Sequence, residues 1–137
     1  MSGGSIFTRI IPAEIPCHRL YEDDFVLAFL DINPLARGHT LVVPKREVER
    51  LDQLRPDEIA QLARCMGELG RRIVSATGAE GYNVLQNNGA AAGQVVPHVH
   101  FHIIPRRSGD GLGFRWNAHA SDPVELAELA ARIRNMT

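Results

Sequence analysis

The chain contains the stretch His98-Val99-His100-Phe101-His102-Ile103-Ile104. Side chains of a β-strand alternate between its two faces, so the three histidines are predicted to share one face and the apolar residues the other. Neighbouring imidazoles on such a strand would lie about 7 Å apart. Imidazoles titrate near neutral pH. Packing does not explain three histidines in a row on a strand face that is directed toward a polar space. The pattern therefore indicates a catalytic or binding site.

Composition is typical of an ordinary globular protein that does not bind long nucleic acid. The 137 residues are 45% hydrophobic and 23% charged, with a formal net charge of −1. This length predicts a single domain over residues 1–137 with its own core. No basic run exceeds the pairs Arg71-Arg72 and Arg106-Arg107. A surface that binds a long nucleic-acid backbone is therefore not expected.

The sequence also predicts the compartment. The longest run without Asp, Glu, Lys or Arg covers residues 81–105 and is rich in Asn, Gln, Gly and His, so we expect no membrane span. The first residues show neither a charged nor an apolar signal segment. Cys17 and Cys65 have no metal-binding spacing. Two free thiols in a reducing cytoplasm are the plain interpretation.

Hydrophobic periodicity and turn residues predict eight elements. The clearest is a helix at residues 56–77, with Pro56 in its first turn and Gly78 as its stop. A short helix capped by Ser5 is predicted at residues 5–11, and a final helix that opens at Asp122 is predicted at residues 122–134. The five predicted strands cover residues 17–21, 25–32, 39–43, 82–86 and 97–104. This succession predicts an α+β domain with a mostly antiparallel five-stranded sheet, one long central helix and a C-terminal helix.

Several blocks of the sequence resemble one protein family. Residues 87–106 read NNGAAAGQVVPHVHFHIIPR, which resembles the signature of the histidine triad family, a nucleotide-binding strand with histidine at alternate positions. Further blocks match in order: SIF at 5–7, YEDD at 21–24, AFLDINP at 28–34 and GHTLVVPK at 38–45. The match covers about residues 5–117 and looks most like the bacterial form of the Hint branch, with residues 118–137 left for the C-terminal helix.

The resemblance implies a fold, an assembly and a ligand. The fold would be HIT-like, and two copies would form a homodimer whose sheets join into one. The ligand would be a purine nucleotide, such as an AMP or GMP derivative, and no cofactor is expected. Small residues on the long helix would let a second helix approach closely, namely Ala60, Ala63, Cys65 and Gly67.

The resemblance assigns catalytic roles to four histidines. His100 would be the nucleophile, and His102 would contact the phosphate. His98 would orient His100, with its backbone carbonyl accepting the Nδ1 proton of that ring, and His39 would stand beside the triad. A neutral imidazole can attack phosphorus and form a covalent nucleotidyl-histidine, so that one hard displacement becomes two easier ones. The implied activity is cleavage or transfer at purine nucleoside 5′-phosphoramidates.

The resemblance also predicts a nucleotide pocket. Asp31 would hold the ribose, because a carboxylate can accept hydrogen bonds from both hydroxyls of a cis-diol. Ile32 and Phe7 would flank the base. The residues that match positions near the phosphate and the leaving group are Asn87, Gly93, Gln94 and Val95.

Two departures from the family pattern carry further predictions. Val95 stands where the branch commonly has Ser or Thr, so a hydroxyl that could assist the leaving group is missing and slow turnover of poor leaving groups is expected. Many bacterial relatives hold a structural zinc with a Cys-x-x-Cys, a later histidine and the first triad histidine. Here Ser5, Thr8 and Glu47 occupy three of those positions, which predicts no metal there.

Other functions stay open from the sequence alone. Within the same fold they are a dinucleoside polyphosphate hydrolase and a nucleotide-binding partner protein with weak activity. A different class is a metal enzyme, since two histidines of the stretch and His39 could hold zinc with an open coordination position. The metal content of the purified protein, and its activity in the presence of a chelator, would separate these classes.

Overall fold

The computed structural model of the chain describes residues 4–113 and 118–136. Short 3-10 helices lie at Leu51–Gln53 and Ala90–Ala92. The α-helices are α1 (Ile6–Ile10), α2 (Pro56–Thr77) and α3 (Pro123–Arg134), and the strands are β1 (Arg19–Glu22), β2 (Val26–Leu30), β3 (Thr40–Pro44), β4 (Gly81–Gln86) and β5 (Phe101–Arg106). Across these two ranges, none of the helices combines the length and the apolar character that a membrane crossing needs.

The strands form one sheet in the order β1-β2-β3-β5-β4, and every neighbouring pair is antiparallel. The pairs Val42–Phe101 and Val84–Ile103 fix the register of β5 between β3 and β4. The predicted α+β class, five-stranded antiparallel sheet and long helix are confirmed. The inner position of β5 brings the histidine stretch to the middle of the sheet.

The sheet has a core on each face. On one face α2 covers a cluster that includes Val26, Ala28, Val42, Leu62, Leu69, Val99 and Ile103. On the other face α1 contributes to a cluster of Phe7, Ile10, Leu27, Phe29, Leu41 and Val43. Successive side chains of β2 and β3 pack alternately in the two cores. Nearly every residue of these two strands is therefore apolar.

The ends of α2 agree with the sequence prediction. Pro56 occupies its first turn, and the Glu58 carboxylate accepts a hydrogen bond from the Arg55 backbone N–H at 2.9 Å. Gly78 ends the helix in a left-handed conformation with a φ of 71°. Arg46, which follows β3, donates two hydrogen bonds of 2.9 and 2.7 Å to the Glu58 carboxylate. This ion pair joins the end of β3 to the start of α2.

The start of β5 differs most from the prediction. The strand begins at Phe101, not at residue 97, and runs to Arg106. Before Phe101 the backbone bonds outside the ladder, because the Val99 N–H donates to the carbonyl of Val48. Of the three histidines only His102 therefore lies within the strand. All other element boundaries agree with the predicted ones to within two residues.

Candidate active site

The side chains of the histidine stretch alternate as predicted, even before the strand begins. Val99 and Ile103 face α2. His98 and His100 pack edge-on against Phe7 of α1, with ring centroids 5.6 and 5.1 Å from the Phe7 ring. His98 and His100 are only 0% and 7% exposed, so this face is enclosed and not open to solvent. The histidines lie in a largely enclosed site.

His98 supports the site through its backbone, while its ring bonds elsewhere. Its Nε2 lies 2.8 Å from the Pro44 carbonyl, which can only accept, so Nε2 carries the proton. Burial lowers the pKa of His98, and the neutral ring accepts a hydrogen bond from the Ser5 hydroxyl at Nδ1, at 2.9 Å. The His98 carbonyl in turn accepts the Nδ1 proton of His100 at 2.7 Å, as the resemblance implied.

The same hydrogen bond defines the protonation of His100. Because Nδ1 carries the donated proton, Nε2 of the neutral ring has an unshared electron pair. The ring lines a cavity of about 470 Å³ that also touches α1 and β2. An imidazole with this lone pair can act as a nucleophile. The His98 carbonyl would stabilise the positive charge that develops on the ring during attack.

A second directed set of hydrogen bonds runs through His39 to His102. The Leu35 N–H donates to His39 Nδ1 at 3.0 Å, so the neutral His39 ring carries its proton on Nε2. That proton is donated to His102 Nδ1 at 2.9 Å, which leaves the proton of neutral His102 on Nε2. The rings of His100 and His102 line the same cavity with centroids 5.0 Å apart. One ring thus offers a lone pair and the other an N–H donor.

Burial keeps both rings of this second set neutral near pH 7. It lowers the pKa of His39, and the Asp31 carboxylate partly opposes that shift. Burial, together with repulsion from the charged forms of His100 and His39, lowers the pKa of His102 to about 4. The neutral state preserves the direction of the hydrogen bond from His39 to His102.

The lowered pKa of His102 predicts a loss of stability in mild acid. As pH falls from about 6.5 towards 4, the unfolded chain binds a proton that the folded ring does not, so the native state loses stability; above this interval no loss arises. His102 should account for roughly 1–2 kcal/mol between pH 7 and pH 5. In urea unfolding, His102→Gln should show a smaller loss, and the exposed-site control His119→Gln should show the wild-type loss. An unchanged pH dependence in His102→Gln would contradict the assignment.

The cavity beside His100 and His102 has the size and lining of a small-molecule site. Its volume of about 470 Å³ lies in the usual range for ligand pockets. Both residues expected to flank the base, Phe7 and Ile32, line it. Ile32 and Val95 stand at its mouth, with 78% and 89% of their surfaces exposed. The remaining walls are mostly apolar and include Ile6, Ile15, Phe29 and Leu41.

Asp31 lies at the same cavity with one carboxylate oxygen already bonded. Oδ1 accepts a hydrogen bond from the Asn33 N–H at 2.8 Å, which forms a turn after β2. Oδ2 lies 3.7 Å from His39 Nε2. The turn holds the carboxylate in one orientation at the cavity wall. In this position it can accept hydrogen bonds from hydroxyls of a ligand.

Three residues expected near the phosphate do not line this cavity, namely Asn87, Gly93 and Gln94. Gln94 is 9% exposed and its amide is fully bonded to the backbone. Oε1 accepts the Gly89 N–H at 2.7 Å, and Nε2 donates to two carbonyls at 2.7 and 3.0 Å. Gly93 has a φ of 95° and lies beside the Asn87 amide, where a Cβ would come within 3.4 Å of Nδ2. The Gln94 side chain therefore holds its loop together.

The cluster of Asp31, His39 and His102 does not suit a metal ion, although its ligand atoms lie within 4.8 Å of one another. A metal on His39 would have to bind Nε2, because Nδ1 accepts the Leu35 N–H. Metal-binding histidines usually donate their second nitrogen to an acceptor, whereas here that nitrogen meets a donor. Metal binding would also break the hydrogen bond to His102. This pattern argues against the metal-enzyme hypothesis.

Ser5, Thr8, Glu47 and His98 lie together and form what we call the N-terminal cluster. The Glu47 carboxylate accepts hydrogen bonds from the Ser5 N–H and from the Thr8 hydroxyl. Structural zinc sites use thiolate and imidazole ligands. Neither hydroxyl is such a ligand, and both ring nitrogens of His98 are already bonded. The cluster does not fit the zinc that the family resemblance associates with these positions.

The sequence analysis did not identify two hydrogen-bonding groups at the site, and it also left out two apolar residues that the sequence pattern could have revealed. The Leu35 N–H directs the proton of His39, and the Ser5 hydroxyl binds His98. The Leu35 N–H lies in an irregular loop, and the Ser5 hydroxyl binds a residue 93 positions away in the chain. Sequence periodicity reveals neither contact. Phe29 and Leu41 line the cavity and alternate with residues of the α2 core, which is a signal that the sequence contains.

Comparison with known proteins identifies relatives of high similarity. The family model described as HIT domain matches residues 12–109. The uncharacterized HIT-like protein MJ0866 of Methanocaldococcus jannaschii is 52% identical over 129 residues, which cover 94% of this chain and 98% of that protein. Adenosine 5'-monophosphoramidase hnt1 of Schizosaccharomyces pombe is 42% identical over 129 residues, which cover 93% of this chain and 94% of that protein.

The fold agrees with a solved structure as well. The crystal structure of a member of the HIT family from Bacillus subtilis matches with a TM-score of 0.91 at 39% identity, and the match covers 97% of each chain. The fold of this chain therefore belongs to a known architecture. The chain belongs to the HIT domain family.

Proposed function

We propose that this protein hydrolyses nucleoside 5′-phosphoramidates by breaking the bond between phosphorus and an amine. The observation that carries the proposal is the pairing of His100 and His102 at one cavity. His100 has a lone pair on Nε2, and His102 has a proton on Nε2. The relative from Schizosaccharomyces pombe is named an adenosine 5'-monophosphoramidase, which supports the same class of substrate here.

The proposed reaction consists of two displacements at phosphorus. His100 Nε2 attacks, the P–N bond to the substrate amine breaks, and the amine leaves with a proton drawn from solvent at the cavity mouth. Val95 at that mouth supplies no hydroxyl for this proton. Water then attacks the nucleotidyl-His100, returns the proton to solvent and releases the nucleoside monophosphate. The His102 N–H would donate to a non-bridging oxygen in both steps.

The nucleotide would lie with its base in the apolar part of the cavity and its phosphate at the histidines. Phe7 and Ile32 would flank the base, and Asp31 would hold the ribose hydroxyls. These residues line one continuous space with His100 and His102. A purine, as in AMP or GMP, offers more flat apolar surface to such walls than a pyrimidine does, so a purine nucleotide is the proposed ligand.

A substrate panel tests the proposal. Purified protein is incubated with adenosine 5′-phosphoramidates and, in parallel, with diadenosine polyphosphates, each with and without a chelator. We expect preferential release of AMP and amine from the phosphoramidates, unchanged by the chelator. Faster cleavage of the polyphosphates would assign a dinucleoside polyphosphate hydrolase instead. Binding without cleavage would assign a nucleotide-binding protein, and inactivation by the chelator would assign a metal enzyme.

Asp31→Asn is expected to weaken binding of AMP about tenfold and binding of 2′-deoxy-AMP much less. Asparagine can keep the turn hydrogen bond from the Asn33 N–H, so the loss reports the missing charge on the ribose side. Calorimetry with both nucleotides measures the difference. Asp24→Asn, in an exposed hairpin turn, is the control and should bind both as the wild type does. Equal losses for the two ligands would show that Asp31 does not bind the ribose.

We also propose a homodimer in which the sheet continues across β4. Within the described residues β4 is the last strand of the sheet, and its residues Tyr82 and Val84 are exposed. An unpaired strand edge can pair with a second copy. Ala60, Ala63 and Gly67 of α2 are exposed, as a close helix contact requires. Cys65, expected in the same group, is instead buried in the α2 core because it points toward the sheet.

Light scattering should therefore give about 30 kDa, twice the 15.1 kDa of one chain. Val84→Lys should shift the mass towards the monomer, because a lysine on a strand edge opposes pairing with another strand. Leu20→Lys makes the same change on β1, at the other edge of the sheet, and serves as the control for added charge. A wild-type monomer at micromolar concentration would contradict the proposed dimer.

A further inference from the structure

The N-terminal cluster joins three parts of the chain at the histidine stretch. Ser5 is the N-cap of α1, Glu47 follows β3, and His98 precedes β5. Ser5 is 8% exposed and His98 is 0% exposed. In the part of the chain that the structure describes, no buried side-chain nitrogen or oxygen lacks a hydrogen-bond partner. Glu47 lies at the exposed edge of the cluster, with 36% of its side chain accessible. The buried part, where Ser5 bonds to His98, is fully bonded, and such a network is rigid and specifies one arrangement.

The Glu47 carboxylate and the Pro44 carbonyl, which can only accept, together determine the direction of the hydrogen bonds in the cluster. A carboxylate only accepts, so the Thr8 hydroxyl donates its proton to Glu47. The Ser5 N–H donates to the same carboxylate at 2.5 Å, and the Thr8 N–H donates to the Ser5 hydroxyl oxygen at 3.3 Å. The Ser5 hydroxyl also lies 3.5 Å from the Thr8 hydroxyl, but it donates to His98 Nδ1 at 2.9 Å, because His98 Nε2 carries the ring proton and donates it to the Pro44 carbonyl.

The same order continues from His98 to His100. With Nδ1 accepting from Ser5 and Nε2 donating to the Pro44 carbonyl, the His98 ring is fixed at both nitrogens. A fixed His98 fixes its own carbonyl, which holds the Nδ1 proton of His100 at 2.7 Å. Phe7, two residues after Ser5, contacts both imidazole rings edge-on and depends on the same anchoring of α1.

We propose that Ser5 and Glu47 are positioning residues for His100. Acting through His98, they hold the His100 ring at the cavity with its proton on Nδ1 and its lone pair on Nε2. Neither residue lines the cavity, so the proposed effect runs through His98 and not through contact with the substrate. Hydrogen bonds, and not a metal, thereby join α1 and the end of β3 to the histidine stretch. The inference rests on the proposed function, because the nucleophilic role of His100 does.

Histidine spectra test the positioning without measuring activity. Long-range proton–nitrogen NMR of the full-length ¹⁵N-labelled protein shows which ring nitrogen carries the proton. The wild type should show His98 protonated on Nε2 and His100 on Nδ1. Ser5→Gly removes the hydroxyl at little cost to the helix, because glycine is tolerated at an N-cap. This variant should shift the His98 signals and give His100 a mixture of the two protonated forms.

Kinetics provide the second measurement. Ser5→Gly should lower kcat for an adenosine 5′-phosphoramidate about tenfold and change KM by less than about twofold. Ser5→Thr keeps a hydroxyl and should restore both the spectra and kcat. Glu47→Leu removes the acceptor that orders the cluster and should act in the same direction as Ser5→Gly. Glu49→Gln, on the same segment with an exposed side chain, is the matched control and should match the wild type.

The outcomes separate this inference from the proposed function. Wild-type spectra and wild-type kcat in both Ser5→Gly and Glu47→Leu would overturn the positioning role. A fall in kcat with unchanged spectra of His98 and His100 would also overturn it, since a general loss of structure would then be the cause. Absence of phosphoramidate hydrolysis by the wild type would overturn the proposed function, while the histidine spectra would still decide how His100 is held.

Discussion

Replacing His100 with alanine is expected to lower the turnover of adenosine 5′-phosphoramidates by about a thousandfold or more. The variant loses the lone pair that attacks phosphorus, and His102 cannot supply one, because its Nδ1 accepts from His39 and its Nε2 carries the proton. Binding of AMP should survive, since most of the cavity wall comes from other residues. Single-turnover kinetics measure the first effect and calorimetry the second.

Two further variants make this experiment specific. His100→Asn keeps a polar group at the cavity and should be as inactive as His100→Ala. His119→Gln removes a histidine from an exposed position and should stay fully active. Mass spectrometry of a quenched wild-type reaction should find the nucleotidyl group on His100. Comparable kcat in the wild type and His100→Ala, or an adduct on a different histidine, would exclude His100 as the nucleophile.

Glu58→Ala should lower the free energy of unfolding by about 3 kcal/mol. The carboxylate is 6% exposed, binds Arg46 through two hydrogen bonds and accepts the Arg55 N–H. Alanine leaves these donors without their acceptor where β3 joins α2. Because Arg46 is 42% exposed, we expect a loss of stability at the lower end of the range for breaking a buried ion pair. The melting temperature should fall by roughly 10 °C in calorimetry.

The pH dependence identifies the ion pair as the cause. Hydrogen bonds from Arg46 lower the pKa of Glu58 from 4.5 to about 2. The contribution of Glu58 is therefore complete above pH 4.5 and is lost as the pH falls towards 2. The difference between the wild type and Glu58→Ala should shrink over that interval, and persistence of the full difference would contradict this explanation. Glu68→Ala, which removes exposed pairs on the same helix, should leave stability unchanged.

The sequence predicted the helices more accurately than the end of the sheet. α2 has a proline in its first turn, apolar residues at helical spacing and a glycine stop, so local residues determine its bounds. The start of β5 depends on contacts between distant segments. The ladder to β3 begins at Phe101, because the Val99 N–H is already bonded to the Val48 carbonyl. No local pattern around residue 99 reveals that partner.

The site shows the same division between local and distant information. The spacing of the histidines predicted their common face, and the family resemblance implied the bond from His100 to the His98 carbonyl. The sequence did not reveal that Ser5 and Pro44 occupy both ring nitrogens of His98. Nor did it reveal that backbone groups of the loop bond to the Gln94 amide, whose place near the phosphate stays a prediction. The spacing of residues in the sequence shows which polar side chains share a face. Only the folded structure shows which of them already form hydrogen bonds within the protein.

α3 contributes no buried residue to either core. Its apolar side chains Leu126, Leu129 and Ile133 are 51%, 46% and 62% exposed. A helix of 12 residues without tertiary packing is marginally stable in water. In hydrogen–deuterium exchange, the amides of α3 in a single chain should therefore open independently, whereas those of α2 exchange only when the core opens. Protection of α3 that rises with protein concentration would identify it as part of the contact between two copies.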